Sequence, residues 1–401
     1  MKSRKLDRSL LPLLGRRLWP GVRPFPGGLW LQAVSVGEVE IACTFARELR
    51  AARPGLPLVL SASTPAGFDL LGRRLSEERL DPAVALPFPL DLPASVRRFF
   101  DAACPRLLVL VETELWPSVL AEAGRRGVGV LLINARLSER SVRRLRRFRP
   151  LFRRPLAAVS RVAARTEADA ARFAEIGIPR DRVSVEGDLK YDRKEAAAPP
   201  FGERVVRLAG GRPVLVAGSL WEEEIGLLLD LRSRLLQEGL DPFLLLAPRR
   251  PDSFDEVTQK LSSEGLVVAR RSNPGPDPER SDVFLLDTLG ELASAYSLGT
   301  LALLGGTFVP KGGHNVLEPL AAGLPVLHGP SVANISEPLE ACPGATFGAE
   351  DAAGLAALAL RLLRDPAARR DAAASARALF GRNRGATART VAIALGLLEG
   401  R

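Results

Sequence analysis

Three cysteines and two histidines in 401 residues narrow the field before any motif is considered. Cys43, Cys104 and Cys342 lie far apart and form no CxxC pair, so neither a disulfide framework nor a thiolate zinc site is supported. They are expected to be small buried hydrophobes in a reducing compartment. With His314 and His328 alone, metal or triad chemistry built on several imidazoles is excluded. Long apolar runs are missing too. LLVLV at 107–111 and VGVLLI at 128–133 are strand-sized, far short of the roughly 20 residues that a spanning helix needs. The start, MKSRKLDRSLLPLLGRRLWPGVRP, is basic, but its apolar stretch is short and cut by Pro12 and Gly15, which makes a poor signal peptide. No repeating tract organises the glycines and prolines, so collagen-like and low-complexity readings fall away. A cytoplasmic or membrane-surface protein without a transmembrane helix is expected.

What is present is an ordinary globular composition, 46% hydrophobic and 25% charged, in a chain too long for one core of typical size. Two domains are expected, 1–197 and 198–401, joined near the stretch AAAPPFG, with the last helix crossing back to the first. The net charge of +10 is unevenly placed. Residues 1–200 carry 35 basic against 22 acidic side chains, and residues 201–401 carry 21 against 24. Within the basic half, RSVRRLRRFRPLFRR at 140–154 sets eight arginines around Val142, Leu145, Phe148, Leu151 and Phe152. That spacing predicts a basic helix face with an apolar stripe, ended or kinked at Pro150. Such a face suits an anionic lipid surface or a nucleic-acid backbone, or is simply a solvated arginine-rich surface. The surrounding aromatic and glycine pattern matches no nucleic-acid module, so no nucleic acid is expected as a partner.

Short apolar runs, each followed by a turn signal and a helical pattern, recur through both halves. They are 29–35, 57–63, 107–112 and 128–134 in the first, and 213–219, 242–248, 283–287, 300–306 and 325–329 in the second. Apolar strands alternating with helices indicate parallel sheets covered on both faces, hence two Rossmann-like doubly wound domains with a cleft between them. Ligands bind such sheets beyond the carboxyl ends of the strands. Three segments there carry chemistry. In GGTFVPKGGHNVLEPLAAGLPVLHGP (305–330) two glycine pairs precede a helix predicted to start near Asn315. Glycines let a phosphate approach the backbone, and a helix start offers it N–H groups, although a plain capping turn has the same features. Glu38 follows the first strand, where it is either a base or a first-turn helix acid. Glu112 and Glu114 follow the strand 107–111, as a site or as a helix cap.

The 305–330 segment resembles the nucleotide-sugar signature of GT-B glycosyltransferases. AVSVGEVE, ETELWP, INARLSERS, GDLKYD, DTLGEL and GGHNVLEP, in this order from about residue 29 to 330, resemble the 3-deoxy-D-manno-octulosonic acid (Kdo) transferases of lipopolysaccharide synthesis. The resemblance implies an α/β GT-B enzyme that moves Kdo from CMP-Kdo, a co-substrate, to a lipid A precursor of the lipid IVA type. Inversion is implied, with no metal ion and no further cofactor. It implies Glu38 as general base, and Glu112 and Lys190 as transition-state support. For CMP it implies Pro248, Arg249, Leu289, Gly290, Glu291, Asn315, Val316, Leu317 and Glu318. Arg249 suits a nucleotide anion, N–H groups near Gly290 and Gly313 the leaving phosphate, and Glu318 the ribose.

Two departures stand out. Arg250 occupies the place where the family has a histidine after Pro-Arg. The AGS motif at 217–219 runs into LWEEE without the family's glycine, so Ser219, Glu222 and Glu223 receive no role. Many family members carry an N-terminal membrane anchor. A chain without one would dock on the cytoplasmic face of the inner membrane as a peripheral protein, through the anionic surface and the 140–154 segment. The rival readings are a GT-B transferase using a UDP-sugar, and an inactive membrane- or nucleic-acid-binding protein of the same fold.

Overall fold

Strands apolar along their whole length need cover on both faces, and each half of the chain builds a sheet from them. The computed structural model describes Gly15, Arg17, Leu18 and residues 28–77, 80–192, 197–273 and 280–400. Most of the basic N-terminal stretch and residues 195–196 of the expected linker lie outside the described residues. The chain divides into two compact units, Met1–Asp192 with Asn383–Arg401, and Arg193–Arg382. The division thus falls at Asp192, ahead of the expected 197, and the end of the chain belongs to the first unit.

In the first unit the strands are β1 (Leu29–Ala33), β2 (Leu58–Ala62), β3 (Ala83–Pro87), β4 (Leu107–Val111), β5 (Gly129–Ala135), β6 (Val159–Ala164) and β7 (Val183–Val185). They pair in parallel in the order β3-β2-β1-β4-β5-β6-β7, which reverses between β1 and β4. Successive side chains point to opposite faces, so Leu29, Leu31 and Ala33 join one core and Trp30 the other. The Trp30 ring lies 4.3 Å from Phe99 and 5.4 Å from Phe100 between centroids, and its indole N–H donates to Ser61 Oγ at 2.7 Å, so no buried donor is wasted. The helix Ala386–Leu398 lays Ala386, Val391, Ala394 and Leu398 on the Leu29 face. Its start is tied down by Asp192, whose carboxylate accepts from Gly385 N–H and Thr387 N–H at 2.8 and 2.7 Å.

The arginine-rich segment forms two helices, Glu139–Arg147 and Arg149–Ala157. The break falls at Phe148, because Pro150 fits the first turn of a helix but clashes with a turn before it. Val142 and Leu145 are buried, and Phe152 packs against the core, but Phe148 is half exposed. Of the cysteines, Cys43 and Cys342 are buried as expected. Cys104 is exposed, closing the helix Pro93–Ala103 in a left-handed conformation, so it is not a core residue.

The second unit repeats the plan with β8 (Val214–Leu220), β9 (Phe243–Pro248), β10 (Val268–Arg270), β11 (Val283–Leu285), β12 (Leu301–Leu304), β13 (Val326–His328) and β14 (Thr346–Gly348). Their order is β10-β11-β9-β8-β12-β13-β14, reversing between β8 and β12. Its core gathers Leu215, Leu244, Leu246, Leu301, Leu303 and Leu327 with leucines from the helices Ile225–Gln237 and Ala352–Arg364.

Candidate active site

Where strand order reverses, the loops leaving two neighbouring strands part to opposite faces, and the opening collects polar side chains. In the first unit that opening lies past the ends of β1 and β4. Ser35 caps the helix Val36–Ala52, its hydroxyl oxygen accepting from Glu38 N–H at 3.4 Å. Glu38 reaches back, Oε1 accepting from the Ser35 hydroxyl and Oε2 from Val34 N–H, both at 2.9 Å. This reciprocal arrangement resembles a capping box, with the carboxylate taking the N–H of the residue before the cap. The first-turn reading of Glu38 therefore holds. It is a first-turn helix acid, and it is also a partly exposed carboxylate at the mouth of the sheet. Burial pushes its pKa up, opposed by the bonds from Val34 and Ser35 and aided by the charge of Glu112.

Glu112 follows β4 with φ of +60°, and its N–H donates to Ile133 O at 2.9 Å. This left-handed turn sets its carboxylate 3.4 Å from Lys190 Nζ. Lys190 rides on a 3-10 turn, Leu189–Tyr191, fixed from three distant parts of the chain. Leu189 N–H donates to Asn134 Oδ1 at 2.9 Å, and Asn134 is itself wholly buried at φ of +49°. Asp188 N–H donates to Asn383 Oδ1 at 2.7 Å, and the Asp188 carboxylate pairs with Arg165 at 2.9 Å. The sequence-predicted trio of Glu38, Glu112 and Lys190 is thus brought together within one unit. Glu114, noted in the sequence and given no role, joins it. Trp116 Nε1 donates to its Oε2 at 2.6 Å. Burial, then the charge of Glu38, pushes the Glu114 pKa up to about 7, with the Trp116 bond opposing and Glu112 adding.

The second unit shows a different economy at its own reversal. Gly305 passes so close to the end of β8 that a Cβ on it would sit 2.1 Å from Ser219 O. The buried carboxylate of Glu224 accepts four backbone N–H groups there. Those of Gly306 and Trp221 reach Oε2 at 2.8 and 3.0 Å, and those of Phe308 and Thr307 reach Oε1 at 3.0 and 3.1 Å. Gly313 N–H donates to Gly306 O, and Gly312 N–H to Ser331 Oγ. The glycine pairs therefore serve to close the loop on itself. The N–H groups of the four glycines are spent inside the protein, so a phosphate near Gly313 would have to be met by other N–H groups of the loop. The helix expected near Asn315 begins later, at Leu317, and is only five residues long, Leu317–Ala321.

The predicted CMP positions follow the ends of β9, β11 and β12. Pro248 ends β9, and Arg249 is exposed just beyond, its N–H bonded to Leu220 O at 2.8 Å. Leu289 and Gly290 are exposed, Leu289 at 77% and Gly290 at φ of +83°. Glu291 is held by Arg271 through two bonds of 3.0 and 3.1 Å and by the Thr288 hydroxyl. Burial raises its pKa, but these bonds outweigh that and hold it below the usual carboxylate value. Asn315 spans the helix start, Oδ1 accepting from Leu317 N–H and Nδ2 donating to Glu318 Oε1 at 2.7 Å. Val316 is buried, so only its backbone can meet a ligand.

Sequence reasoning gave no role to Trp221, Lys311 and His314. Trp221 Nε1 donates to His314 Nε2 at 2.9 Å, and Lys311 Nζ lies 4.3 Å above the Trp221 ring. Burial, then the charge of Arg249, lowers the His314 pKa to about 4, so its ring is neutral and carries its proton on Nδ1. Arg250, at the family's histidine position, pairs with Glu222 at 3.1 Å. Among the described residues no group of His, Cys, Asp and Glu is arranged to hold a metal, and no helix is long and apolar enough to cross a membrane.

The fold is shared with solved structures of low sequence identity. UDP-GlcNAc 2-epimerase from Neisseria meningitidis matches 94% of this chain and 100% of its own at 12% identity, with a TM-score of 0.54. The glycotransferase of kitacinnamycin matches 93% and 99% at 12% identity, with a TM-score of 0.50. Two doubly wound parallel sheets, one in each unit, are the elements of the GT-B fold. A family model described as 3-Deoxy-D-manno-octulosonic-acid transferase (kdotransferase) matches residues 9–193. The 3-deoxy-D-manno-octulosonic acid transferase of Bordetella pertussis is 35% identical over 384 residues, 92% of this chain and 87% of its own. The chain belongs to the Kdo transferase family.

Proposed function

We propose that the chain transfers Kdo from CMP-Kdo to a phosphorylated lipid A precursor in lipopolysaccharide synthesis, inverting the anomeric carbon without a metal ion. The observation that carries this reading is Glu38, fixed at the end of β1 by two hydrogen bonds and standing with the Glu112–Lys190 ion pair. A carboxylate of raised pKa is the better base near neutral pH. Glu38 takes the proton of the acceptor hydroxyl as that oxygen bonds to the anomeric carbon of Kdo. The bond from that carbon to the phosphate oxygen breaks, and its electron pair leaves with CMP. Glu112 and Lys190 place charge around the reacting group. The donor belongs to the second unit, where Arg249 suits the phosphate, Glu318 the ribose, and Pro248, Leu289–Glu291 and Asn315–Leu317 the remaining contacts. The test is incubation of purified protein with enzymatically generated CMP-Kdo and a tetraacylated lipid A precursor, read by mass spectrometry. Mass gains in Kdo steps are expected. No gain while UDP binds in place of CMP would overturn the choice of donor.

The acceptor lies at a membrane, and the same reading places the protein peripherally on the cytoplasmic face of the inner membrane. Arg140, Arg144, Arg147, Arg153 and Arg154 support this. All five are exposed, and none forms an ion pair among the described residues. Basic groups near an anionic bilayer contribute about 1 kcal/mol each. Replacing these five by glutamine is therefore expected to abolish sedimentation with anionic liposomes at moderate salt. Unchanged co-sedimentation would sink the idea.

A further inference from the structure

The second unit holds a cation and an open N–H donor that the proposed contacts leave unused, and Trp221, just past the end of β8, organises both. Its indole N–H donates to His314 Nε2 at 2.9 Å, with the two rings 21° from parallel. That bond makes Nε2 the acceptor, so His314 carries its proton on Nδ1. The ring is partly exposed, and Nδ1 has no hydrogen-bond partner among the described residues. Gly306 makes room for it, since a Cβ there would lie 2.9 Å from both His314 Nε2 and Cδ2. Lys311 lays its ammonium 4.3 Å from the centroid of the same Trp221 ring, on a backbone fixed by Asn334 Nδ2, which donates to Lys311 O at 2.8 Å. Arg249 is brought alongside by its N–H bond to Leu220 O, one residue before Trp221. Lys311 and Arg249 are both exposed, and neither has an ion-pair partner among the described residues. The acids that follow Trp221 are engaged elsewhere, Glu222 with Arg250 and Glu224 with four backbone N–H groups.

We propose that Lys311 and the Nδ1–H of His314, both placed by Trp221, bind the carboxylate of the donor sugar and so select an acidic sugar over a neutral one. This rests on the reading of the chain as a transferase that uses CMP-Kdo. In an ulosonic acid the anomeric carbon carries a carboxylate beside the phosphate oxygen, so the donor presents two anions next to the bond that breaks. Arg249 is already given to the phosphate. The second anion calls for a second cation, and Lys311 stands ready without a counter-charge of its own. Its seat on an aromatic face matters, because the ring attracts the ammonium without neutralising it and restrains a long flexible side chain. An ammonium held in this way keeps N–H groups for an anion. His314 adds a hydrogen bond whose direction is fixed by the Trp221 bond to the other nitrogen of the ring. A neutral sugar would cover the Lys311 charge and give it no partner, which is the element that discriminates. Trp221 acts through these two side chains and is a positioning residue.

The experiment measures KM for enzymatically generated CMP-Kdo in wild type, Lys311→Met, Lys311→Arg and Trp221→Phe. Beside it runs the inhibition constant of the methyl ester of CMP, which has the donor's phosphodiester and no carboxylate. Lys311→Met changes an exposed side chain and is expected to fold as wild type does. It should raise KM for CMP-Kdo about tenfold, the usual worth of one charge-assisted hydrogen bond, and leave inhibition by the ester within about twofold. The loss should fall on KM rather than kcat, because the contact is made equally before and during bond breaking. Lys311→Arg should recover most of it. Trp221→Phe keeps a ring under Lys311 but loses the indole N–H, so KM for CMP-Kdo should rise about threefold, again with the ester unaffected. Because the chain has only two histidines, imidazole nitrogen NMR can read the His314 tautomer, expected as Nδ1–H in wild type and as a mixture in Trp221→Phe. Equal losses for the donor and the ester would place the phosphate on Lys311 and overturn the proposal. An unchanged KM in Lys311→Met, or an Nε2–H tautomer in wild type, would overturn it too. If Trp221→Phe does not fold, Lys311→Met decides. Wild type that transfers no Kdo would remove the proposed function and this inference together, whereas transfer with these constants unchanged would remove this inference alone.

Discussion

Exchange of Glu38 for glutamine is expected to lower kcat for Kdo transfer by about 10²–10⁴-fold, the usual worth of a positioned general base. The choice of glutamine matters because, on the proposed reading, the base is also a helix cap. Its carboxylate accepts from Val34 N–H and from the Ser35 hydroxyl at the start of the helix Val36–Ala52. A glutamine at the same place of a capping box still accepts the backbone N–H, and the Ser35 hydroxyl can turn to accept from the amide. The melting temperature should therefore stay within about 3 °C of wild type. Alanine would lose the cap as well, at about 1 kcal/mol, and confuse a folding defect with a chemical one. Because the lost interaction belongs to the transition state, kcat should fall with KM for the lipid acceptor little changed. Mass spectrometry of the lipid and a thermal melt on the same preparations check both halves. Retention of more than a tenth of the wild-type rate would mean that the acceptor proton goes elsewhere.

The sequence made the strand ends, and hence the site, legible to different degrees in the two units. All nine apolar runs are strands, because a strand buried on both faces announces itself by composition. Five strands were not recognised. Val183–Val185, Val268–Arg270 and Thr346–Gly348 are three residues long, Ala83–Pro87 is a half-buried edge, and Val159–Ala164 is interrupted by Ser160 and Arg161. Short or edge strands are set by their neighbours rather than by their own residues. In the first unit, Glu38, Glu112 and Lys190 were assigned by motif, and folding gathers them. What motif could not supply was the environment. The burial of Glu114, and the Asn134, Asn383 and Arg165 contacts that place the Lys190 turn, bridge residues far apart in the chain. In the second unit, local sequence misled. Paired glycines before a helix read as a phosphate cradle, but the helix is a single short turn, and the N–H groups of Gly306, Thr307 and Phe308 are taken by Glu224, about eighty residues away. Nothing local distinguishes Glu224 from Glu222 and Glu223 beside it.

Glu224 leads to the largest expected effect on stability. Four backbone N–H groups share its two oxygens, and the carboxylate is only 2% exposed. Glu224→Ala would leave those donors buried and unpaired, a loss of about 3–5 kcal/mol in the second unit. At about 2–4 °C per kcal/mol for a unit of this size, its melting transition should fall by roughly 10 °C. Glutamine is not a rescue here. Its oxygen can take two of the four donors, but its amide turns N–H towards the other two, so Glu224→Gln should also melt well below wild type. Glu222→Gln and Glu223→Gln provide the contrast. Glu222 pairs with the half-exposed Arg250 and also meets the Ser253 side chain, and such an exposed pair contributes about 1 kcal/mol or less. Calorimetry with CMP titration separates stability from binding. If the proposed CMP site includes the loop 305–316, saturating CMP should recover part of the lost stability in Glu224→Ala. A Glu224→Ala protein that melts within about 2 °C of wild type would show that water replaces the carboxylate at no cost, and that the loop does not depend on it.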